Sequence, residues 1–269
     1  MPDKRNIRVL FLGDLIGRPG RKALKRYLPS LIEKYSPVLI IANAENAAGG
    51  IGITEKVGQE LLSQLNVLTS GNHIWDKREV ISYLEKEERL LRPANYPPQN
   101  PGKGSYLFQG ESGVKVGIIN LQGRVFMEPI DCPFRTADEE LKKLGQLTQA
   151  IIVDFHAEAT SEKQAMGWYL DGRVSAVIGT HTHVLTADER ILTQGTAYIT
   201  DVGMVGGYNS IIGIRRDQAL KRFLTSRPQR FEPGKDGLFC SAVFTEIEAQ
   251  TGKALKIQRE MIVEEKIDD

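Results

Sequence analysis

The chain contains four histidines, and all of them lie where short apolar runs end. Residues 7–12 lead into Gly13-Asp14, and residues 38–42 lead into Asn43-Ala44-Glu45-Asn46. Residues 67–70 run into Gly71-Asn72-His73, residues 151–155 into His156, and residues 176–179 into Thr180-His181-Thr182-His183. These five exits gather Asp14, Glu45, Asn46, Asn72, His73, His156, His181 and His183, which are nitrogen and oxygen donors of the kind a metal ion requires. Taken singly, several have blander readings. Asp14 suits a turn or a helix cap, Asn46 and Asn72 are ordinary turn residues, and His73 or His156 could be a satisfied core histidine. Glu45 resists such a reading, because a glutamate is seldom left near a core without a partner. His181 and His183 would point to one side if the chain stays extended between them. Eight donors exceed what one ion uses once water is allowed. Two ions about 3.5–4 Å apart, sharing a bridging carboxylate, fit better. With no thiolate in the set, manganese, iron or zinc is favoured over copper(I) or an iron–sulfur cluster.

The elements that must position these donors alternate. Residues 7–12, 38–42 and 67–70 read as buried strands, separated by helical patterns at 21–34 and from Thr54 to Gln64. This β-α-β-α-β order implies a parallel sheet, and in open α/β sheets ligands collect outside the carboxyl ends of the strands. A third helix is expected at 79–88. Residues 92–104, with Pro93, Pro97, Pro98 and Pro101, form a loop. Strands follow at 105–109 and 114–120, joined by a turn over 110–113. Thr136-Ala137-Asp138-Glu139 reads as a capping box opening a helix that runs to Leu147. Further strands are expected at 151–155, 176–179 and 197–200, helices at 161–169 and 218–225, and a terminal hairpin at 238–247 and 254–263. One domain over residues 1–269, built on two sheets, is the economical reading.

Composition excludes several classes. With 35 basic and 34 acidic side chains the net charge is +1, too small for a nucleic-acid scaffold held by a broad basic field. Cys132 and Cys240 are too few for a disulfide framework, which suits a reducing cytoplasm. The opening residues lack a long apolar core, so no signal peptide is expected. No run approaches the ~20 apolar residues that span a bilayer, so no membrane partner is expected either. Gly49-Gly50-Ile51-Gly52 could cradle a phosphate on backbone N–H groups, although a plain turn explains it as well. The basic run Arg215, Arg216, Lys221, Arg222, Arg227 and Arg230 reads as a solvated face, with phosphate or RNA contact as its alternative. Trp168 and Tyr169 are expected in the core, with a base-stacking role as the alternative.

The blocks Gly13-Asp14, Asn43-Ala44-Glu45-Asn46, Gly71-Asn72-His73, Asp154-Phe155-His156 and Gly179-Thr180-His181-Thr182-His183 resemble, in order, the five motifs of the calcineurin-like metallophosphoesterases. Within that superfamily they resemble the YmdB-like branch of cyclic-nucleotide phosphodiesterases, as do residues 92–96, 101–104, 120–124 and 198–204. Two departures from the broad superfamily match that branch. Asp14-Leu15-Ile16 replaces Asp-x-His, and Glu45 with Asn46 stands where Gly-Asp is usual. The resemblance implies an α/β fold, a four-layer α/β/β/α sandwich of two mixed sheets, metallophosphoesterase type. It implies two metal ions, iron foremost and manganese or zinc as alternatives. One would be held by Asp14, Asn46 and His183 and the other by Asn72, His156 and His181, with Glu45 bridging. His73 would stay off the metals as general acid, a role suited to a side chain that exchanges its proton near neutrality.

The implied substrates are small 2′,3′- or 3′,5′-cyclic nucleotides, attacked by a hydroxide held between the ions. The implied setting is a cytoplasmic homo-oligomer. Two alternatives stand beside this reading. One is another metal-dependent phosphoesterase, either a phosphomonoesterase or an RNA-processing nuclease. The other is a regulatory protein that senses nucleotide or RNA through a weakened metal site. The proline-rich loop at 92–104 is long enough to narrow the site and select against polymeric RNA, or else to contact another subunit.

Overall fold

The computed structural model describes residues 6–110 and 113–264. Its first part holds β1 (Asn6–Leu12), β2 (Asp14–Leu15), α1 (Gly17–Tyr35), β3 (Leu39–Asn43), α2 (Glu55–Leu62), β4 (Val67–Thr69) and α3 (Val80–Leu84). Next come β5 (Ser105–Gln109), β6 (Lys115–Gln122), α4 (Pro133–Leu144), β7 (Ile151–His156), α5 (Thr160–Leu170) and β8 (Ala176–Thr180). The chain closes with β9 (Arg190–Ile191), β10 (Ala197–Ile199), β11 (Met204–Gly207), α6 (Arg216–Thr225), β12 (Leu238–Glu248) and β13 (Ala254–Val263).

The strands form two mixed sheets. One has seven strands in the order β2-β11-β12-β1-β3-β4, with β13 on the other edge of β12. The other has six, in the order β5-β6-β7-β8-β10-β9. β1, β3 and β4 are parallel, as are β6, β7, β8 and β10. β12 spans two partners on one edge, β1 through residues 242–248 and β11 through residues 238–240.

Side-chain alternation along the strands builds the layers, since successive residues face opposite sides of a sheet. Leu10 and Leu12 pack outward with Leu24 and Leu28 of α1, while Val9 and Phe11 pack inward. Ile118 of β6 and Ile152 of β7 meet Val9, Phe11 and Ile41 between the sheets. Their neighbours Ile119 and Val153 face the opposite way, against Leu144 of α4 and Met166 of α5. Three stacked apolar layers therefore separate helices, sheet, sheet and helices. This is the expected α/β/β/α sandwich.

Several boundaries differ from the sequence reading. α1 begins at Gly17 and takes in the segment expected to be a turn, because Pro19 falls within the first helical turn, where a missing N–H costs nothing. α4 begins at Pro133, a turn before the expected capping box, for the same reason, and Thr136 donates its N–H to the Cys132 carbonyl inside the helix. Thr54 does cap α2, accepting the Val57 N–H at 3.3 Å. The expected helix over 79–88 is cut to five residues and is preceded by a 3-10 turn over Asn72–Trp75. Trp168 is half exposed rather than in the core, with Arg190 over its ring, and Tyr169 is exposed as well. The turn expected over 110–113 has Glu111 and Ser112 outside the described residues, as are the opening residues 1–5. Among the described residues no helix is long and apolar enough to cross a membrane.

Candidate metal centre

Both sheets point the carboxyl ends of their parallel strands at one place. From the seven-stranded sheet come Asp14 at the start of β2, Glu45 and Asn46 just past β3, and Asn72 and His73 in the 3-10 turn past β4. From the other come His156 at the end of β7 and His181 and His183 past β8. Asp14, Glu45 and His156 are fully buried.

The contacts join these residues into one cluster. The Glu45 carboxylate lies 3.0 Å from His156 Nε2 through Oε1, and its Oε2 accepts the His73 backbone N–H at 3.0 Å. Asn46 Nδ2 donates to Glu45 Oε1 at 3.3 Å and lies 3.4 Å from His183 Nε2. His181 Nδ1 is 3.0 Å from His156 Nε2, and His183 Nε2 is 3.8 Å from Asp14 Oδ1. Glu45, His156 and His181 alone offer three donor atoms within 4.8 Å of one another. Gly71 makes this closeness possible: a Cβ there would sit 2.0 Å from the His156 ring.

The two histidines after β8 converge by a different route from the one expected. The chain does not stay extended, for His181 has φ 102° and His183 φ 63°. Such backbone costs about 1–3 kcal/mol per residue unless its surroundings impose it. Here they do. The His181 N–H donates to Asp14 Oδ2 at 3.3 Å, and the Thr182 N–H and hydroxyl both donate to Asp201 Oδ2 at 3.0 and 2.8 Å. Asp201 in turn pairs with Lys163 at 2.7 Å, both side chains being almost wholly buried.

Electrostatics favour a cation at this point. Asp14, Glu45, Asp154 and Asp201 are all fully buried, and Lys163 is the cation they receive from the core. Buried charges are ordinarily paired or bound to metal. Burial pushes Asp14 well above the usual carboxylate range, against the pull of His156 and with the push of neighbouring acids. Burial also works against the charged forms of Glu45 and His156, but each overcomes it through the other, leaving Glu45 at about 2 and His156 at about 9. His181 is driven down to about 3 by burial and by His156 beside it. Burial lowers His183 as well, and the Ile212 carbonyl only partly offsets it. Both are therefore neutral imidazoles with a lone pair to offer near neutrality. Asp14 Oδ1 and Asn72 Oδ1 are buried with no hydrogen-bond partner, as acceptors awaiting a cation would be.

Each imidazole is also fixed through its other nitrogen. Thr180 donates its hydroxyl to Asp154 Oδ1 at 2.7 Å, so its oxygen accepts from His156 Nδ1 at 2.9 Å. His183 Nδ1 donates to the Ile212 carbonyl at 2.8 Å, and His181 Nε2 lies 3.0 Å from Glu158 Oε2. His73 differs. Its Nδ1 pairs with Asp76 at 2.6 Å, and its ring, about one third exposed, lines a cleft.

That cleft holds about 770 Å³ and opens directly over Glu45, Asn46, His181 and His183. Its walls are the turn at residues 49–51, Lys77, the loop at 212–214 and a strap at 229–233. The proline-rich loop at 92–104 is absent from that lining. It is tied to its own base instead, where the buried Arg92 donates to the carbonyls of Pro93 at 2.8 Å and Pro101 at 3.2 Å.

The sequence reading misses the pairing of Asp154 with Thr180, that of Lys163 with Asp201, and the strap apart from Arg230, which it names in the basic run. Asp154, Thr180 and Asp201 fall inside stretches that carry the resemblance, but nothing in their spacing announces what they touch.

The YmdB-like protein family model matches residues 10–260. The chain belongs to that family. It is 50% identical over 257 residues to the 2′,3′-cyclic-nucleotide 2′-phosphodiesterase of Bacillus subtilis, covering 95% of this chain and 97% of that one. A crystal structure of a hypothetical protein from Thermus thermophilus superposes with TM-score 0.90 at 42% identity, over 96% of this chain and 100% of that one. A Mycoplasma pneumoniae protein described as a novel phosphatase superposes with TM-score 0.91 at 38% identity, over 97% and 94% of the two chains. YmdB-like membership at this identity places the chain among the phosphodiesterases.

Proposed function

We propose that this YmdB-like chain is a dinuclear-metal phosphodiesterase acting on small cyclic nucleotides, chiefly 2′,3′-cyclic monophosphates, with 3′,5′-cyclic monophosphates as a second class. The observation that carries the metal half is the convergence of buried, unpartnered oxygen acceptors with neutral imidazoles beneath an open cleft. The identity to the Bacillus subtilis enzyme supports the substrate half.

Asp14, Asn46 and His183 would hold one ion, Asn72, His156 and His181 the other, and Glu45 both. Iron fits this all-nitrogen-and-oxygen set, as do manganese and zinc. Bound there, the ions supply an activated water and positive charge opposite the phosphoryl oxygens. The protein does the rest. Buried acids and fixed imidazoles set the donor geometry before substrate arrives, which favours electrostatic preorganisation. His73 lines the cleft with its ring oriented by Asp76, placed to protonate the departing ribose oxygen. We read residues 1–269 as a single cytoplasmic domain that works as a homo-oligomer.

The test pairs elemental analysis of protein purified without chelator with a survey of cyclic nucleotides, phosphomonoesters and short RNAs. Two metal equivalents per chain and the highest kcat/KM on a 2′,3′-cyclic nucleotide are expected. Binding without turnover when iron, manganese or zinc is added would favour a sensor instead.

A further inference from the structure

The cleft has a wall that the hydrolysis of a phosphodiester does not require. The strap between α6 and β12 carries Arg230 and Phe231 to its edge. Phe231 is 43% exposed. Among the described residues its ring has no aromatic partner, and neither Arg230 nor Lys77 has a carboxylate within ion-pair distance.

The strap is nevertheless firmly seated. The Arg215 N–H donates to the Glu232 carbonyl at 3.0 Å, the Arg215 guanidinium pairs with the Glu232 carboxylate at 3.0 Å, and the Gly234 N–H donates to the Gly213 carbonyl at 2.8 Å. Pro233 beds against the glycine turn, where a Cβ on Gly50 would meet its ring at 2.8 Å. That bedding brings Ile51, itself 41% exposed, into the same wall. An exposed aromatic ring on an anchored backbone, beside an unpaired guanidinium and over the metal centre proposed to bind the phosphate, is the chemistry that receives a flat π-system attached to a phosphate.

We propose that residues 229–233 form the nucleobase platform of this enzyme, with Phe231 stacking on the base and Arg230 flanking it. The proposal rests on the cyclic-nucleotide reading above and adds to it the element that distinguishes a nucleotide from any other cyclic phosphodiester. Stacking accepts every base, because each presents a π-face. The platform therefore selects nucleotides as a class.

The experiment compares Phe231→Ala, Phe231→Trp and the parent on two substrates, adenosine 2′,3′-cyclic monophosphate and the base-less methyl riboside 2′,3′-cyclic phosphate. Phe231→Ala should raise KM for the adenosine compound about tenfold or more, as the loss of one stacked base implies. Its kcat, its metal content and its KM for the base-less compound should stay at the parent's values, and Phe231→Trp should restore the adenosine KM. Equal changes on both substrates, or none, would overturn the platform. Binding of adenosine 3′-monophosphate, followed by calorimetry, separates this failure from that of the underlying reading. If the parent hydrolyses neither substrate, weakened binding in Phe231→Ala would keep the platform and reject the cyclic-nucleotide assignment. Unchanged binding would reject the platform whatever the turnover.

Discussion

The two sheets furnish the site in different ways. The seven-stranded sheet contributes Asp14, the first residue of β2, and Glu45, Asn46 and Asn72, which follow β3 and β4. Asn46 and the His73 N–H donate to Glu45 and the His181 N–H to Asp14, and two oxygens of this set are left without partners. The six-stranded sheet contributes three imidazoles on segments that leave regular structure at His156 and Thr180, the second turning twice through left-handed conformations. A ring left to itself can rotate about two side-chain bonds. Each ring is therefore held at its far nitrogen, by Thr180 and Asp154, by Glu158, or by the Ile212 carbonyl. On one side the donors are set by where the strands end and by contacts within the cluster, and on the other by an added layer of polar partners behind the rings.

Glu45→Gln tests the first side and should have the largest effect. Because Glu45 touches His156, Asn46 and the His73 backbone, neutralising it should empty both metal positions together and abolish turnover. Two full equivalents of metal in that variant, by elemental analysis, would show that the carboxylate does not bridge. His73→Ala separates the fourth histidine from the other three. Metal content should stay at the parent's level while kcat falls about 10²-fold or more, and less for substrates with good leaving groups. Loss of metal would move His73 into the donor set. Asp154→Asn tests the second side. It weakens the acceptor that holds Thr180 under His156, so metal affinity should fall about 10- to 100-fold in a competition titration. An unchanged affinity would mean that the strand backbone alone orients the ring, and the contrast between the sheets would collapse.

The same contrast decides what could be read from the sequence. Strand exits were legible because an apolar run followed by a polar residue is a local signal, and that signal located Asp14, Glu45, Asn72 and all four histidines. The four-layer arrangement follows from the resemblance carried by the ordered blocks, because residues 7–12 are too uniformly apolar for alternation to show it. The holding layer was not legible. Lys163 and Asp201 stand 38 residues apart, and each on its own looks like a solvated charge. Thr180 looks like a spacer between Gly179 and His181. The two-residue β2 and the glycine-bearing β11 are too short to show a period; β11 pairs on the edge of β12, and β2 in turn on β11. The strap at 229–233 has no periodicity, the sequence marks only Arg230 in it, and its seat beside the cleft comes from where Pro233 lands. The proline-rich loop is conspicuous in composition, yet it does not line the cleft, and Arg92 binds it to its own base.

Asn120 of β6 accepts the Ser70 N–H at 2.9 Å and donates to the Ser70 carbonyl at 2.8 Å, stitching the exit of one sheet to the body of the other. It is a permanent fastener between layers that share a site, and any ion bound between them would be a removable one. Occupancy then becomes a term in the folding equilibrium. At free metal a thousandfold above its dissociation constant, the folded chain gains about 4 kcal/mol by mass action. Against a total of roughly 5–15 kcal/mol for an ordinary domain, that is a large share. The lifetime of this protein in a cell would then follow the supply of its metal as closely as its activity does.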